Sequence, residues 1–532
     1  MSCAASCTCP AELHAERILV EVLRYSSACR LARQLAALAS QDLPCDRQSS
    51  KGLMTGVIFE GLQAAATAGQ GRTWVHPILD VHRAARVCEM SGAAKSVAYT
   101  LEGIALSPGC VLGVLREEGS GEERKVPMEN LQLLEEAPFY RDELLPALEC
   151  IQPHQASRSA LRWFTEKLCS SSTKLQTSFA QKRRKAWSLV ERVTILFYEE
   201  RKLLAELKGR LRQEKSVANV FHSITLTPRE DDGIVLLELH VRDDSEDAWF
   251  SATCSHETTK QGDKRDVLIT LEIGAEHVTQ LRRLASCRGE EHFRMALALL
   301  LLRYAGLSGG DYQLESGWHA GIPSSVFDAL VSTFHVSMEC FASPLNCTLP
   351  QYFSAFPDTD SFFGCCGNFL GTGALPVPAE DATKEKGLLS LEANPPFDHD
   401  VIAAGLARAL QHLEDTEPTR PLSFVFILPD STQAKGIAVR TKAEQSRFFR
   451  GDCVISPELS MYVHGARHIP RRSAQKRQRG ASPRDEEELV TLSCPTRLLV
   501  LQNDVAAAML PAGEGLEKVR SVWEALPASV TS

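Results

Sequence analysis

Apolar residues recur at three- and four-residue spacing from Ala11 to about Ala39, in "AELHAERILVEVLRYSSACRLARQLAALA", and this period predicts one long helix. From Val97 to Glu136 the pattern becomes short β-prone runs joined by Gly and Ser, which predict a small β-rich insert. A barrel that reads peptide or nucleic acid and a purely structural module both fit it. Pro138 to Lys215 is helical again and basic. Lys182, Arg183, Arg184 and Lys185 form one block there, bracketed by Trp163 and Trp187. That face suits RNA phosphates, while Glu199, Glu200 and Glu206 allow the alternative of an internally paired, solvated helix.

Alternating runs after Val217 predict strands. A helical stretch then runs through "AEHVTQLRRLASCRGEEHFRMALALLLLRYAGL", with Gly306, Gly309 and Gly310 as its stop. Next comes a helix from Pro323 to Thr333, the strand "VSMECFA" and a long loop. The strand "LLSLEA", a helix from Asp398 to Leu413 and the strand "LSFVFILP" follow. The segment "LVTLSCPTRLLVLQN" reads as two strands joined at Cys494-Pro495, and a final helix lies near Gly515 to Ala525. Strands alternating with helices imply a parallel sheet that binds ligands at the carboxyl ends of its strands. Three regions result: residues 1–136, helical with the β-rich insert; 137–312, basic and helical; and 313–532, α/β.

Composition changes this picture little. The chain is 44% hydrophobic and 23% charged, as an ordinary globular protein is, and its net charge of −9 argues against a uniformly basic nucleic-acid coat. Local cationic stretches remain. "RHIPRRSAQKRQRGASPRDEEE" carries Arg471 and Arg472 among seven cations, and the stretch from about 464 to 488 is expected to be a disordered loop that contacts RNA, directs nuclear import or is simply solvated. No basic and apolar leader is read at the start, and the longest apolar run, Met295 to Leu302, is too short to span a membrane. The seventeen cysteines are therefore expected to be reduced thiols of an intracellular protein, and no metal site is expected from their spacing.

The chemistry concentrates in Asn394, Pro395, Pro396 and Phe397, between a strand and a helix. Consecutive prolines end a ladder, because neither has an N–H. The Asn394 side-chain carbonyl and the Pro395 carbonyl form a rigid pair of acceptors. Such a pair suits an exocyclic amine whose lone pair is delocalised into a ring and must be drawn toward sp³ before it accepts a methyl group. Phe397 adds a face for stacking a base. A plain strand-to-helix turn is the alternative.

In "VSMECFASPLNCTLPQYFSAFPDTDSFFG", "SLEANPPF", "PLSFVFILP" and "AEQSRFFRG", roughly Gln313 to Asn503, the chain resembles the methyltransferase domain of the phosphorylated-CTD-interacting factor family. The resemblance implies a Rossmann-like class I methyltransferase sheet preceded by a mostly helical domain. It also implies S-adenosyl-L-methionine as donor and, as substrate, the 2′-O-methylated adenosine next to the cap of nuclear mRNA. Methylation of internal RNA or DNA, or cap binding without turnover, are the alternatives. By the same resemblance Asn394 to Phe397 are catalytic. Phe341, Ala342, Ser343, Pro344, Leu345 and Asn346 border the donor, with Asp358 and Asp360 in the other matching loop. Arg447 meets a phosphate or forms an ion pair. Trp163, Trp187, Trp249 and Trp318 are candidates for stacking on the cap guanine.

The chain departs from that pattern in three ways. No Gly-rich loop follows "VSMECFA", and Asn394 comes only 54 positions after Cys340, which predicts an abbreviated sheet. No pair of tryptophans marks the family's WW module, so contact with the transcription machinery is expected to lack it. The linker after Gly364 and the cationic insert have no counterpart in the family.

Overall fold

The computed structural model describes residues 11–42, the strands between 85 and 133, single positions at 192, 196 and 203, and residues 221–229, 233–243, 258–261, 264–285, 289–307, 310, 320–371, 375, 387–397, 399–416, 420–430, 434–465, 468–469, 489–491 and 494–526. Lys182 to Lys185, Arg471, Arg472 and the four tryptophans named above lie outside them, as does most of the cationic insert. The chain divides into two compact units, one of residues 1–227, 236–272 and 288–314, the other of 228–235, 273–287 and 315–532.

In the first unit, α1 (Ala11–Asp42) is the long helix that the period predicts. Five strands follow: β1 (Ala85–Glu89), β2 (Tyr99–Ser107), β3 (Cys110–Glu117), β4 (Glu123–Pro127) and β5 (Leu131–Leu133). They pair antiparallel in the order β4-β3-β2-β1-β5, so the last strand returns to the first, as in a small β module. Then come β6 (Phe221–Arg229), β7 (Ile234–Asp243), β8 (Thr258–Gln261) and β9 (Lys264–Gly274), a sheet of order β6-β7-β9-β8.

Two helices follow, α2 (Ala275–Leu284), which belongs to the second unit, and α3 (Glu290–Leu307), which packs on α1. Of the three glycines expected to close it, Gly310 does so and Gly306 does not. Gly306 remains helical, and its missing side chain lets the helix approach the Tyr25 backbone and Ala28. The turn falls at Gly310, whose φ of +87° excludes most residues and whose N–H bonds Ala305 O at 2.8 Å. Within the apolar α1–α3 seam, Glu21 meets Arg303 through two bonds of 2.6 and 2.9 Å. Burial pushes the Glu21 carboxyl up, but the charges of Arg303 and Arg24 and the bonds to them outweigh it and hold the group at about 2.

The second unit continues with α4 (Ser324–Phe334), β10 (Met338–Glu339), α5 (Pro357–Asp360), β11 (Leu389–Ala393), α6 (His399–Asp415), β12 (Leu422–Pro429), α7 (Ala434–Glu444), β13 (Phe449–Ile455), β14 (Met461–Val463), β15 (Leu489–Thr491), β16 (Thr496–Gln502), α8 (Asp504–Met509) and α9 (Ala512–Glu524). The main sheet has the order β10-β11-β12-β16-β13. β10, β11 and β12 run parallel, and β16 is antiparallel to both β12 and β13. The α/β class read from the sequence therefore holds, with a mixed sheet in place of an all-parallel one. "VSMECFA" contributes only two strand residues, because the chain beyond Glu339 turns back to bond the segment around Phe353.

Alternation along the strands divides the core. Leu389, Leu391, Ala393, Phe424 and Phe426 face α6, while Val425, Ile427, Leu498 and Val500 face α4 and α9. Among the described residues no helix is long and apolar enough to cross a membrane.

Two expectations about stability follow. Glu21→Gln leaves Arg303 buried without its countercharge and should cost about 3–5 kcal/mol in denaturant unfolding. In the unchanged chain, the stability due to this pair should be present above the ordinary carboxylate value of 4.5 and be lost as pH falls toward 2. On α9, a Cβ at Gly515 would stand 2.6 Å from Phe334 Cζ, so Gly515→Ala should lower stability by about 1–3 kcal/mol.

Candidate active site

β11 is buried along its whole length and has a parallel neighbour on each side. It stops where Pro395 and Pro396 supply no N–H, and the turn that follows is held by side chains. Asn394, half-buried, donates from Nδ2 to the Ala320 carbonyl at 3.1 Å, so the acceptor that its amide presents is Oδ1. Ala320 is itself fixed, since its neighbour Gly321 exchanges two backbone bonds with Val463 of β14, at 3.0 and 2.8 Å.

Phe397 stands edge-on to Tyr462 of the same strand, with ring centroids 5.8 Å apart and planes at 86°. Tyr462 is fully buried. Its hydroxyl pairs with Thr496 Oγ1 at 2.7 Å, and its ring meets Trp523, whose Nε1 donates to Met461 O. Asn394 and Phe397 are thus both tied to β14.

The segment after β10 closes on itself. Asn346 Oδ1 accepts from Ser343 N and Oγ at 2.7 and 2.9 Å, and Ser343 O accepts from Asn346 N and Cys347 N. Ser343, Pro344 and Leu345 are buried; Phe341, Ala342 and Asn346 are half-buried. Phe341 rests against Phe369, at 5.5 Å, and beneath Gly405 of α6.

Asp360 is wholly buried and accepts from Thr359 Oγ1 at 2.8 Å, whereas Asp358 is half-buried. Arg447 is exposed and pairs with Glu414, with its guanidinium 4.7 Å from the Phe448 ring centre, which is the ion-pair alternative. Among the described residues no group of three or more His, Cys, Asp or Glu is placed to hold a metal.

Two buried carboxyls complete the site. Glu339 of β10 and Glu392 of β11 are aligned neighbours in the sheet. Glu339 Oε1 accepts from Thr348 N and Leu349 N at 2.8 and 2.7 Å, tying down the end of the Ser343 turn. Glu392 is 2% exposed and its Oε1 has no hydrogen-bond partner. Burial, and then the charge of Glu339, push its carboxyl well above the ordinary carboxylate range. The sequence carried a signal for both, a Glu inside each of the apolar runs "VSMECFA" and "LLSLEA". Nothing local in the sequence marks Ala320 or Tyr462.

The family model described as the phosphorylated CTD interacting factor 1 WW domain matches residues 278–465. The expectation that the chain lacks the family's WW module does not hold, since the match carries that description. A search for paired tryptophans misses it because Trp318 is the one tryptophan in this range. The chain is similar to an mRNA (2'-O-methyladenosine-N(6)-)-methyltransferase of Homo sapiens, at 34% identity over 234 residues, 44% of this chain and 29% of that protein. A protein of the same name from Mus musculus is 38% identical over 179 residues, 34% of this chain and 23% of the relative. The matched part of the chain thus spans less than a third of either relative.

The polar support behind Phe397 is testable. Thr496→Val leaves the Tyr462 hydroxyl buried without its partner and should cost about 1–3 kcal/mol in thermal or denaturant unfolding.

Proposed function

We propose that the chain is an S-adenosyl-L-methionine-dependent N6-adenosine methyltransferase that acts on the 2′-O-methyladenosine next to the mRNA cap. The observation that carries this reading is the turn at the end of β11. Asn394 has Nδ2 committed to Ala320, which leaves Oδ1 as the acceptor of its amide, and the carbonyl of the next residue, Pro395, is proposed as the second amine acceptor. The names of the two relatives support the same substrate.

The sheet supports a Rossmann-like methyltransferase domain. It has three parallel strands, then a reversed strand between β12 and β13, with the NPPF turn at the carboxyl end of a central strand.

The residues present fit the methyl donor. Phe341, half-buried on the α6 side of the sheet, suits an aromatic group, and Glu392 on the opposite face offers a buried carboxyl oxygen without a partner. When bound, S-adenosyl-L-methionine supplies an electrophilic methyl on a sulfonium. Phe341 to Asn346 shape the donor's side of the pocket, and Asp358, half-buried in the first turn of α5, is proposed as a further donor contact. Asn394 Oδ1 and Pro395 O accept the two amine hydrogens, moving the nitrogen toward sp³. Phe397, braced by Tyr462, stacks on the adenine and keeps the amine in line.

Lys182 to Lys185, Arg471 and Arg472 are proposed to carry the RNA backbone. Recruitment through a phosphorylated polymerase tail is supported by the description of the matching family model, and a nuclear location is proposed with it.

The experiment is transfer of labelled methyl to transcripts of one sequence, capped or uncapped, that begin with 2′-O-methyladenosine or another nucleotide. Capped adenosine-first RNA should be labelled selectively. Asn394→Ala should reduce kcat by about 10²–10³-fold, far more than the about 0.5–1.5 kcal/mol that loss of its bond to Ala320 should cost in unfolding, and Phe397→Ala should weaken RNA use. Equal labelling of capped and uncapped RNA would overturn the cap assignment. Absence of transfer to any adenosine RNA would overturn the enzyme assignment.

A further inference from the structure

Adenine N6, cytosine N4 and guanine N2 are chemically alike to the turn at the end of β11. Each is an exocyclic amine with two hydrogens and a lone pair delocalised into the ring, so two carbonyl acceptors suit all three. The bases differ in ring number and in where the amine lies relative to the ribose. Discrimination among them therefore falls to the surface on which the base rests.

That surface is braced from behind. Phe397 is half-buried at the border of the core under α4 and α9, and Tyr462 stands at 86° to it with ring centroids 5.8 Å apart. Tyr462 in turn meets Trp523 of α9 at 5.5 Å and 69°. Both inner rings are wholly buried, and each is also tethered at its polar atom: the Tyr462 hydroxyl pairs with Thr496 Oγ1 at 2.7 Å, and Trp523 Nε1 donates to Met461 O at 3.2 Å. Three rings in succession thus join the last helix to the turn. A ring pair of this kind favours one orientation by about two- to tenfold. Asn394 has a separate support, through Ala320 O and the bonds of Gly321 to Val463. Amine acceptance and the base platform are held by different contacts, so one can be disturbed without the other.

We propose that Tyr462, backed by Trp523, is a positioning residue that makes the site select adenine, by fixing the Phe397 ring at one height and tilt. This rests on the methyltransferase reading above. Stacking on an aromatic side chain tolerates every base, since each has a π-face, and a freely turning phenyl accommodates cytosine or guanine as well. A fixed one admits the base whose amine, once stacked, meets the two acceptors. Loss of the Tyr462 ring therefore weakens RNA use and selectivity together and leaves the methyl-transfer step in place.

The test is methyl transfer by the full chain, from S-adenosyl-L-methionine to capped transcripts that differ only in a first nucleotide of 2′-O-methyladenosine, 2′-O-methylcytidine or 2′-O-methylguanosine. The unchanged chain should prefer adenosine. Tyr462→Leu should raise KM for the adenosine transcript about three- to tenfold with kcat within about twofold, and the preference in kcat/KM should fall by a similar factor. Tyr462→Phe keeps the ring and loses the bond to Thr496, so it should restore KM and preference while unfolding more easily than the unchanged chain.

A folded Tyr462→Leu variant with unchanged KM and preference overturns the inference, and so does an equal loss of both in Tyr462→Leu and Tyr462→Phe. If Tyr462→Leu does not fold, Trp523→Phe carries the test: it keeps a ring but loses the tether to Met461, and should shift KM and preference in the same direction more weakly. No shift there overturns the inference. Equal labelling of all three transcripts by the unchanged chain refutes the selectivity and leaves methyl transfer to RNA standing. No transfer to any of them overturns the enzyme assignment on which the inference rests.

Discussion

Two consecutive prolines remove two donors from the end of a strand that has neighbours on both sides, so the backbone there must be held by something other than a ladder. The rest of the site depends on how that is done. Asn394 reaches across to Ala320, and Phe397 lies against Tyr462. Both supports converge on β14, whose Val463 binds Gly321 and whose Tyr462 is locked by Thr496 and Trp523. A turn that looks irregular in sequence thereby takes its rigidity from the core under α4 and α9.

Electrostatics order the neighbouring loop in the same economical way. A single carboxylate, Glu339, holds the amides of Thr348 and Leu349, while Asn346 closes the Ser343 turn from inside. Most polar groups of that segment are consumed by its own shape. What it offers a ligand is contour and half-buried apolar surface.

The alternation of strand and helix, the buried run at Met295 to Leu302 and the place of the NPPF turn were legible in the sequence because each depends on local periodicity or on proline chemistry. α7 and β13 were not. β13 is an irregular strand of half-buried residues with a register shift at Gly451, so it shows no clean alternation, and α7 has no well-defined apolar stripe. In the site, Asn394 to Phe397 announce themselves by residue type. Their supports do not, because Ala320 acts through a backbone carbonyl and Tyr462 reads as an ordinary aromatic in a short apolar run. Contacts at a separation of 74 residues leave no mark in a local pattern.

The shortness of the sheet beside β10 has a consequence of its own. Where further strands would lie, Tyr352 bridges Glu339 and Cys365 bridges Tyr352, each through a single residue pair. The border of the sheet is thus finished by loops that touch it at isolated points. A two-residue strand closed off in this way presents no row of open amides and carbonyls on which a foreign strand could be laid. The same economy that shortens this side of the fold also makes that margin a poor template for aggregation.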